Sequence, residues 1–192
     1  NINGNPFTNL KNTLGVIYIV RDPRKIISSY ANHSELSLQE AQKRILEVST
    51  LGGKNELVNK TIIHAGSWSS NYQSWKEFKK LDCYLLIRYE DLVSEPKQTF
   101  IKVLNFIFKL TKSKEVIDET KLAKTLNTTT FEYLQNLEKK EGFKEATFSS
   151  ENKKNKFFKY GSKNDGKNNV PKDLRNNLEK ILDKEMKELD YL

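Results

Sequence analysis

The chain has 192 residues, 36% of them hydrophobic, enough for one ordinary domain with a sizeable core. Its net charge of +8 invites an anionic partner, yet only five of the 33 basic residues are arginine and the lysines lie among 25 acids, the pattern of solvated helix faces. No run is long enough to span a membrane, nothing reads as a signal peptide, the lone Cys83 rules out an internal disulfide, and no nucleic-acid module is recognisable.

The opening, NINGNPFTNLKNT, reads as a polar loop. Residues 14–20, LGVIYIV, are apolar and rich in β-branched side chains, which predicts a strand buried on both faces of a parallel sheet. The character changes at Arg21. Asp22 suits an N-cap and Pro23 the first helical position, where a missing N–H costs nothing. Ile26, Ile27, Tyr30 and Ala31 then form a core-facing stripe with Ser29 at its flank. A second amphipathic helix is expected from Leu38 to Leu51, ended by Gly52 and Gly53. Trp68, Tyr72, Trp75 and Phe78 fall at helical spacing in GSWSSNYQSWKEFKKL, and core packing is the stronger reading for most of them. CYLLIRYEDLVSEP supplies a second strand over 83–88, with Cys83 as a small buried residue and Tyr89, Glu90 and Asp91 at its carboxyl end. Ser94 is expected to cap a helix that opens with Glu95 and Pro96 and runs to Phe108. Further helices fit 113–125, 129–140 and 171–189. Residues 151–169 are polar, basic and glycine-punctuated, but the Phe157–Phe158 pair argues for a tethered loop.

Strands followed by helices give an α/β class, and in open α/β sheets ligands sit beyond the carboxyl ends of the strands, which places Arg21 at the ligand edge. Ser29 lies seven residues beyond Asp22, about 10 Å along the helix at 1.5 Å per residue. A forked guanidinium and a hydroxyl so placed make a reasonable phosphate clamp. The alternative, that Arg21 pairs with a nearby carboxylate and Ser29 does nothing specific, weighs equally at this point. His33 and His64 have no ligand-like spacing, and no metal site is expected.

IVRDPRKIISSY, GSW…SW, IRYEDLVSEP, TTFEYLQNLEKKEGF and FFKYGSKNDGKN, in that order, resemble the sulfotransferase domain family, in particular bacterial members related to the cytosolic enzymes that use 3′-phosphoadenosine 5′-phosphosulfate (PAPS). Any one motif is weak; the ordered set is specific. The resemblance implies a P-loop-NTPase-like parallel sheet flanked by helices. It implies that Arg21 and Ser29 bind the 3′-phosphate of PAPS and that Tyr89 lies in the adenosine pocket. Thr129, Thr130 and Phe131 match a helix start whose hydroxyl and ring, here Thr130 and Phe131, meet adenine. Phe157 to Lys167 match a loop over the 3′-phosphate and supply Lys159, Tyr160 and Gly161. There the chain departs from the family: Lys159 stands for an arginine, Tyr160 for a lysine, Asn164 for a glycine and Gly166 for a tryptophan. Lysine keeps the charge but loses the bidentate fork, which weakens the grip. Gly161 is retained and suits close backbone approach to a phosphate.

The family's phosphosulfate-binding turn and its catalytic histidine, a little over twenty residues before the strand-end arginine, have no counterpart among these residues. The expectation is a single, N-terminally incomplete sulfotransferase domain over 1–192, holding the nucleotide end of PAPS but no catalytic residue, and inactive by itself. The intact enzyme would transfer sulfuryl to the hydroxyl or amine of a small-molecule or saccharide acceptor in the cytoplasm, with no metal, nucleic acid or membrane involved. A non-catalytic phosphonucleotide-binding relative and a basic polyanion-binding protein are the alternatives.

Overall fold

The computed structural model describes residues 8–9, 11–51, 63–143, 156–158 and 169–192, with backbone alone at 49–51 and 63–65. Strand β1 (Val16–Val20) pairs in parallel with β4 (Tyr84–Arg88), Val16 opposite Tyr84 and Val20 opposite Arg88. Between them run α1 (Pro23–Ser34), α2 (Leu38–Leu46), an antiparallel pair β2 (Ser49–Leu51) and β3 (Ile63–Ala65), α3 (Trp68–Lys76) and a 3₁₀ turn over Glu77–Leu81. Helices α4 (Tyr89–Ser94), α5 (Pro96–Thr111), α6 (Glu119–Thr128), α7 (Phe131–Glu141), α8 (Lys172–Ile181) and α9 (Asp183–Glu188) follow.

Local signals account for the element starts. The Asp22 carboxylate accepts the Arg24 N–H at 2.9 Å and Pro23 occupies the first turn, so β1 passes into α1 within two residues. Ser37 and Glu40 form a reciprocal capping box on α2. Ser67, Asp118 and Thr130 cap α3, α6 and α7 through their side chains.

The main core forms where α1, α2, α8 and α9 meet: Ile27, Ala41, Leu178 and Met186 are fully buried, Ala31, Ile45, Val170 and Leu182 nearly so, and Ile26 and Tyr30 pack against them. The predicted α1 stripe is therefore the core face. A second cluster joins Val20 of β1, Tyr72 of α3 and Leu189 near the C-terminus, flanked by Tyr18, Trp68 and Tyr191.

Several expectations are corrected. Strand β1 is covered on one face: Val16 and Val20 are buried, while Ile17 and Ile19 are 38% and 56% exposed. Helix α3 packs against the Val16–Tyr18–Val20 side. On the other side Ile87, opposite Ile19, is buried where α5 packs beside β4. Helix α2 ends at Leu46 and not Leu51, because Ser49–Leu51 pairs with Ile63–Ala65, a partnership no local window reveals. Ser94 is the last residue of α4, not the cap of α5; the chain turns helical directly at the end of β4, and Pro96 forces a fresh start. The helix expected over 113–125 begins at Glu119 behind its Asp118 cap, and the one over 171–189 is broken at buried Leu182. Cys83 is half-buried, with its thiol 3.9 Å from the Phe78 carbonyl.

Candidate functional site

Parallel pairing in register brings the carboxyl ends of β1 and β4 side by side, so the residues leaving them are neighbours. They are Arg21 and Tyr89. The Arg21 guanidinium carbon lies 4.4 Å from the centre of the Tyr89 ring, a cation–π contact. Its Nε is buried and has no hydrogen-bond partner among the described residues. A buried guanidinium N–H without an acceptor is costly, and an oxyanion is its natural complement.

The carboxylates that could have neutralised Arg21 are engaged elsewhere. Asp22 and Arg24, 3% and 6% exposed, face each other through a fork: Arg24 Nε lies 2.9 and 3.1 Å from the two Asp22 oxygens and Nη2 2.8 Å from one of them. Arg24 Nη1 donates to Glu179 at 2.6 Å and Nη2 to the Tyr191 carbonyl at 2.8 Å. Burial works against this guanidinium, but the hydrogen bonds and charges of Asp22 and Glu179 outweigh it and raise its pKa above the ordinary arginine value. Glu90 accepts the Asp22 N–H at 3.2 Å and the Tyr191 hydroxyl at 3.0 Å. Arg88 pairs with Asp91 at 3.0 Å. The carboxylate partner considered for Arg21 thus belongs to Arg24, one helical turn further on.

Ser29 is half-buried on α1, and its hydroxyl has no partner among the described residues. The adjacent Ser28 hydroxyl is buried and likewise unpartnered. Thr130 is exposed and its hydroxyl accepts the Tyr133 N–H at 3.2 Å, capping α7. Phe131 meets the edge of Phe158 at 5.9 Å. No ring contact or hydrogen bond among the described residues joins Thr130 or Phe131 to the Arg21–Tyr89 pair.

The expected tether of the late loop is present at its root. The Glu138 carboxylate receives the backbone N–H groups of Phe157 at 2.7 Å and Phe158 at 3.0 Å, and Gln135 donates to the Phe158 carbonyl at 2.9 Å. Phe157 stacks on Phe143 at 4.6 Å and meets the edge of His33 at 5.9 Å, so the two phenylalanines bridge α7 to the end of α1. His33, without ligand-like spacing in the sequence, packs in this cluster. Lys159, Tyr160 and Gly161 lie outside the described residues.

Arg24, Glu138 and Tyr191 were not singled out from the sequence, and Glu90 only by its place at a strand end. Arg24 had a signal, as the second arginine of R-D-P-R at the start of a capped helix. Tyr191, 167 residues from its partner Arg24, had none.

The family model described as Sulfotransferase domain matches residues 5–190. The chain belongs to the sulfotransferase domain family. It is 30% identical to Sulfotransferase 2A6 of Rattus norvegicus over 95 residues, 49% of this chain and 31% of that protein. To the 3-alpha-hydroxysteroid sulfotransferase of Cavia porcellus it is 28% identical over 101 residues, 52% of this chain and 33% of that protein. These alignments span about a third of the curated relatives' length. Among solved structures, the mouse sulfotransferase SULT7A1 complexed with PAP superposes with a TM-score of 0.60 at 18% identity, covering 90% of this chain and 58% of that one. The likeness shows the fold: a sulfotransferase α/β architecture with a parallel sheet flanked by helices. Among the described residues no helix is long and apolar enough to cross a membrane, and no three His, Cys, Asp or Glu side chains gather as a metal site.

Proposed function

We propose that this sulfotransferase domain holds the nucleotide end of PAPS at the joined carboxyl ends of β1 and β4, and that the intact enzyme uses it to transfer sulfuryl to an acceptor hydroxyl or amine on a small molecule or saccharide. The observation that carries the reading is Arg21: buried at Nε, stacked on Tyr89, and left without a carboxylate while Arg24 takes the neighbouring acids. That donor set fits a phosphate. In this reading Arg21 neutralises the 3′-phosphate, Ser29 donates its hydroxyl to the same group, Tyr89 fixes the guanidinium and lines the adenosine pocket, and Thr130 and Phe131 meet the base. Lys159, Tyr160 and Gly161 are assigned to the phosphate by resemblance alone. PAPS supplies the sulfuryl group and carries its own leaving group. The work of these residues is to bind and orient, as positioning and electrostatics do in phosphoryl transfer.

Titration with adenosine 3′,5′-bisphosphate against adenosine 5′-monophosphate tests the assignment. Arg21→Ala should weaken the bisphosphate by about 3 kcal/mol and Ser29→Ala by about 1 kcal/mol, the ordinary worth of charge-assisted contacts and of one hydroxyl, with little effect on the monophosphate. Equal weakening of both nucleotides by Arg21→Ala would refute it.

A further inference from the structure

The two turns that carry Arg21 and Tyr89 are locked together by a closed circuit of hydrogen bonds whose third corner is the penultimate residue of the chain. The Asp22 N–H donates to one Glu90 oxygen at 3.2 Å, which links the turns directly. The other Glu90 oxygen receives the Tyr191 hydroxyl at 3.0 Å. The Tyr191 carbonyl receives Arg24 Nη2 at 2.8 Å, and Arg24 closes the ring on the Asp22 carboxylate. Asp22 directly follows Arg21 and Glu90 directly follows Tyr89. Tyr191 is itself fixed: its N–H donates to the Met186 carbonyl at 2.8 Å and its ring packs against both hydrophobic clusters. Burial, and next the Glu90 charge, raise the Tyr191 pKa, so the hydroxyl stays protonated and remains a donor.

The charge at Glu90 matters here. It is one residue from the ring on which Arg21 lies, and Arg21 has no ion pair among the described residues. A carboxylate there, if free to turn, would compete with an incoming phosphate for the guanidinium. The Asp22 N–H on one oxygen and the Tyr191 hydroxyl on the other hold it in one orientation, turned to those donors.

We infer that Tyr191 is a positioning residue for the phosphate site: by holding Glu90 it keeps Arg21 free for an anion and so sets the selectivity for nucleotides that carry a 3′-phosphate. This rests on the assignment of Arg21 proposed above.

The test is the ratio of dissociation constants for adenosine 5′-monophosphate and adenosine 3′,5′-bisphosphate, measured in the full chain. Tyr191→Phe removes only the hydroxyl and should cut the ratio about tenfold, the worth of one contact to a charged group, while the monophosphate alone binds as before. Adding Glu90→Gln should restore the ratio, because a neutral amide does not compete for Arg21 yet still accepts the Asp22 N–H. Met186→Ala, in the fully buried core of the same terminal segment, should lower the melting temperature and leave the ratio unchanged. If Tyr191→Phe leaves the ratio intact while Arg21→Ala abolishes it, the inference is wrong and the Arg21 assignment stands. If the double variant fails to recover, or Met186→Ala shifts the ratio as much as Tyr191→Phe, the role is structural and the inference is overturned. A wild-type protein with no preference for the bisphosphate sinks the Arg21 assignment and this inference together.

Discussion

Arg21 and Arg24 are one helical turn apart, yet their removal should have opposite consequences. Arg24 is 6% exposed and is held by Asp22, Glu179 and the Tyr191 carbonyl, so Arg24→Ala leaves the 3%-exposed Asp22 carboxylate without its cation. Breaking a buried pair from one side costs about 3–5 kcal/mol. The Glu179 contact adds little, since that side chain is 31% exposed and solvent screens it. Arg21, by contrast, makes one cation–π contact, worth about 1 kcal/mol at a partly exposed site, and its removal also relieves a buried Nε that has no partner. Arg21→Ala should therefore leave stability within about 1 kcal/mol of wild type. Urea denaturation followed by tryptophan fluorescence, with the slope checked for constancy, reads both variants on one scale. An Arg21→Ala loss as large as that of Arg24→Ala would mean that Arg21 holds the fold, and the argument that it is reserved for a ligand would collapse.

Glu138→Gln keeps the shape of the loop clamp but gives up its charge, and should raise hydrogen exchange at the Phe157 and Phe158 amides while the α1 core stays protected; unchanged exchange at those two amides would show that the aromatic packing alone holds the segment. Thr130→Ala should cost about 1 kcal/mol through the lost α7 cap, whereas Thr130→Asn preserves the cap, so a drop in nucleotide affinity in the Asn variant would report a direct contact and no drop would confine Thr130 to capping. At Glu185, burial raises the carboxyl pKa, but hydrogen bonds from Ser69 and Gln73 outweigh it and hold the value below the usual glutamate range. A depressed folded-state pKa gives stability that is present above the ordinary value and lost as pH falls through the folded one. Acid unfolding monitored below pH 4.5 should accordingly be shallower in Glu185→Gln than in wild type, and an identical profile would contradict that sign.

Short-range chemistry determined where most elements begin. β-Branched residues with an Asp-Pro step marked the β1–α1 junction, the spacing of Ile27 and Ala31 marked the buried face of α1, and the pair Phe157–Phe158 marked a tether in an otherwise polar stretch. The ordered motifs carried the family, which the match over residues 5–190 bears out. What only the tertiary structure decided involves partners far apart in the chain. Ser49–Leu51 left the helix expected of it because Ile63–Ala65 offers a ladder, and local propensity is too weak to resist. Ile17 and Ile19 have the same apolar character as Val16 and Val20, so the strand alone could not say which face the described helices cover. Two arginines in R-D-P-R are equivalent by composition. The register of β1 on β4 sets Arg21 against Tyr89, and the return of the C-terminal segment adds Glu179 and the Tyr191 carbonyl to the Asp22 partner of Arg24, so Arg24 is held in the fold while Arg21 makes no ion pair among the described residues.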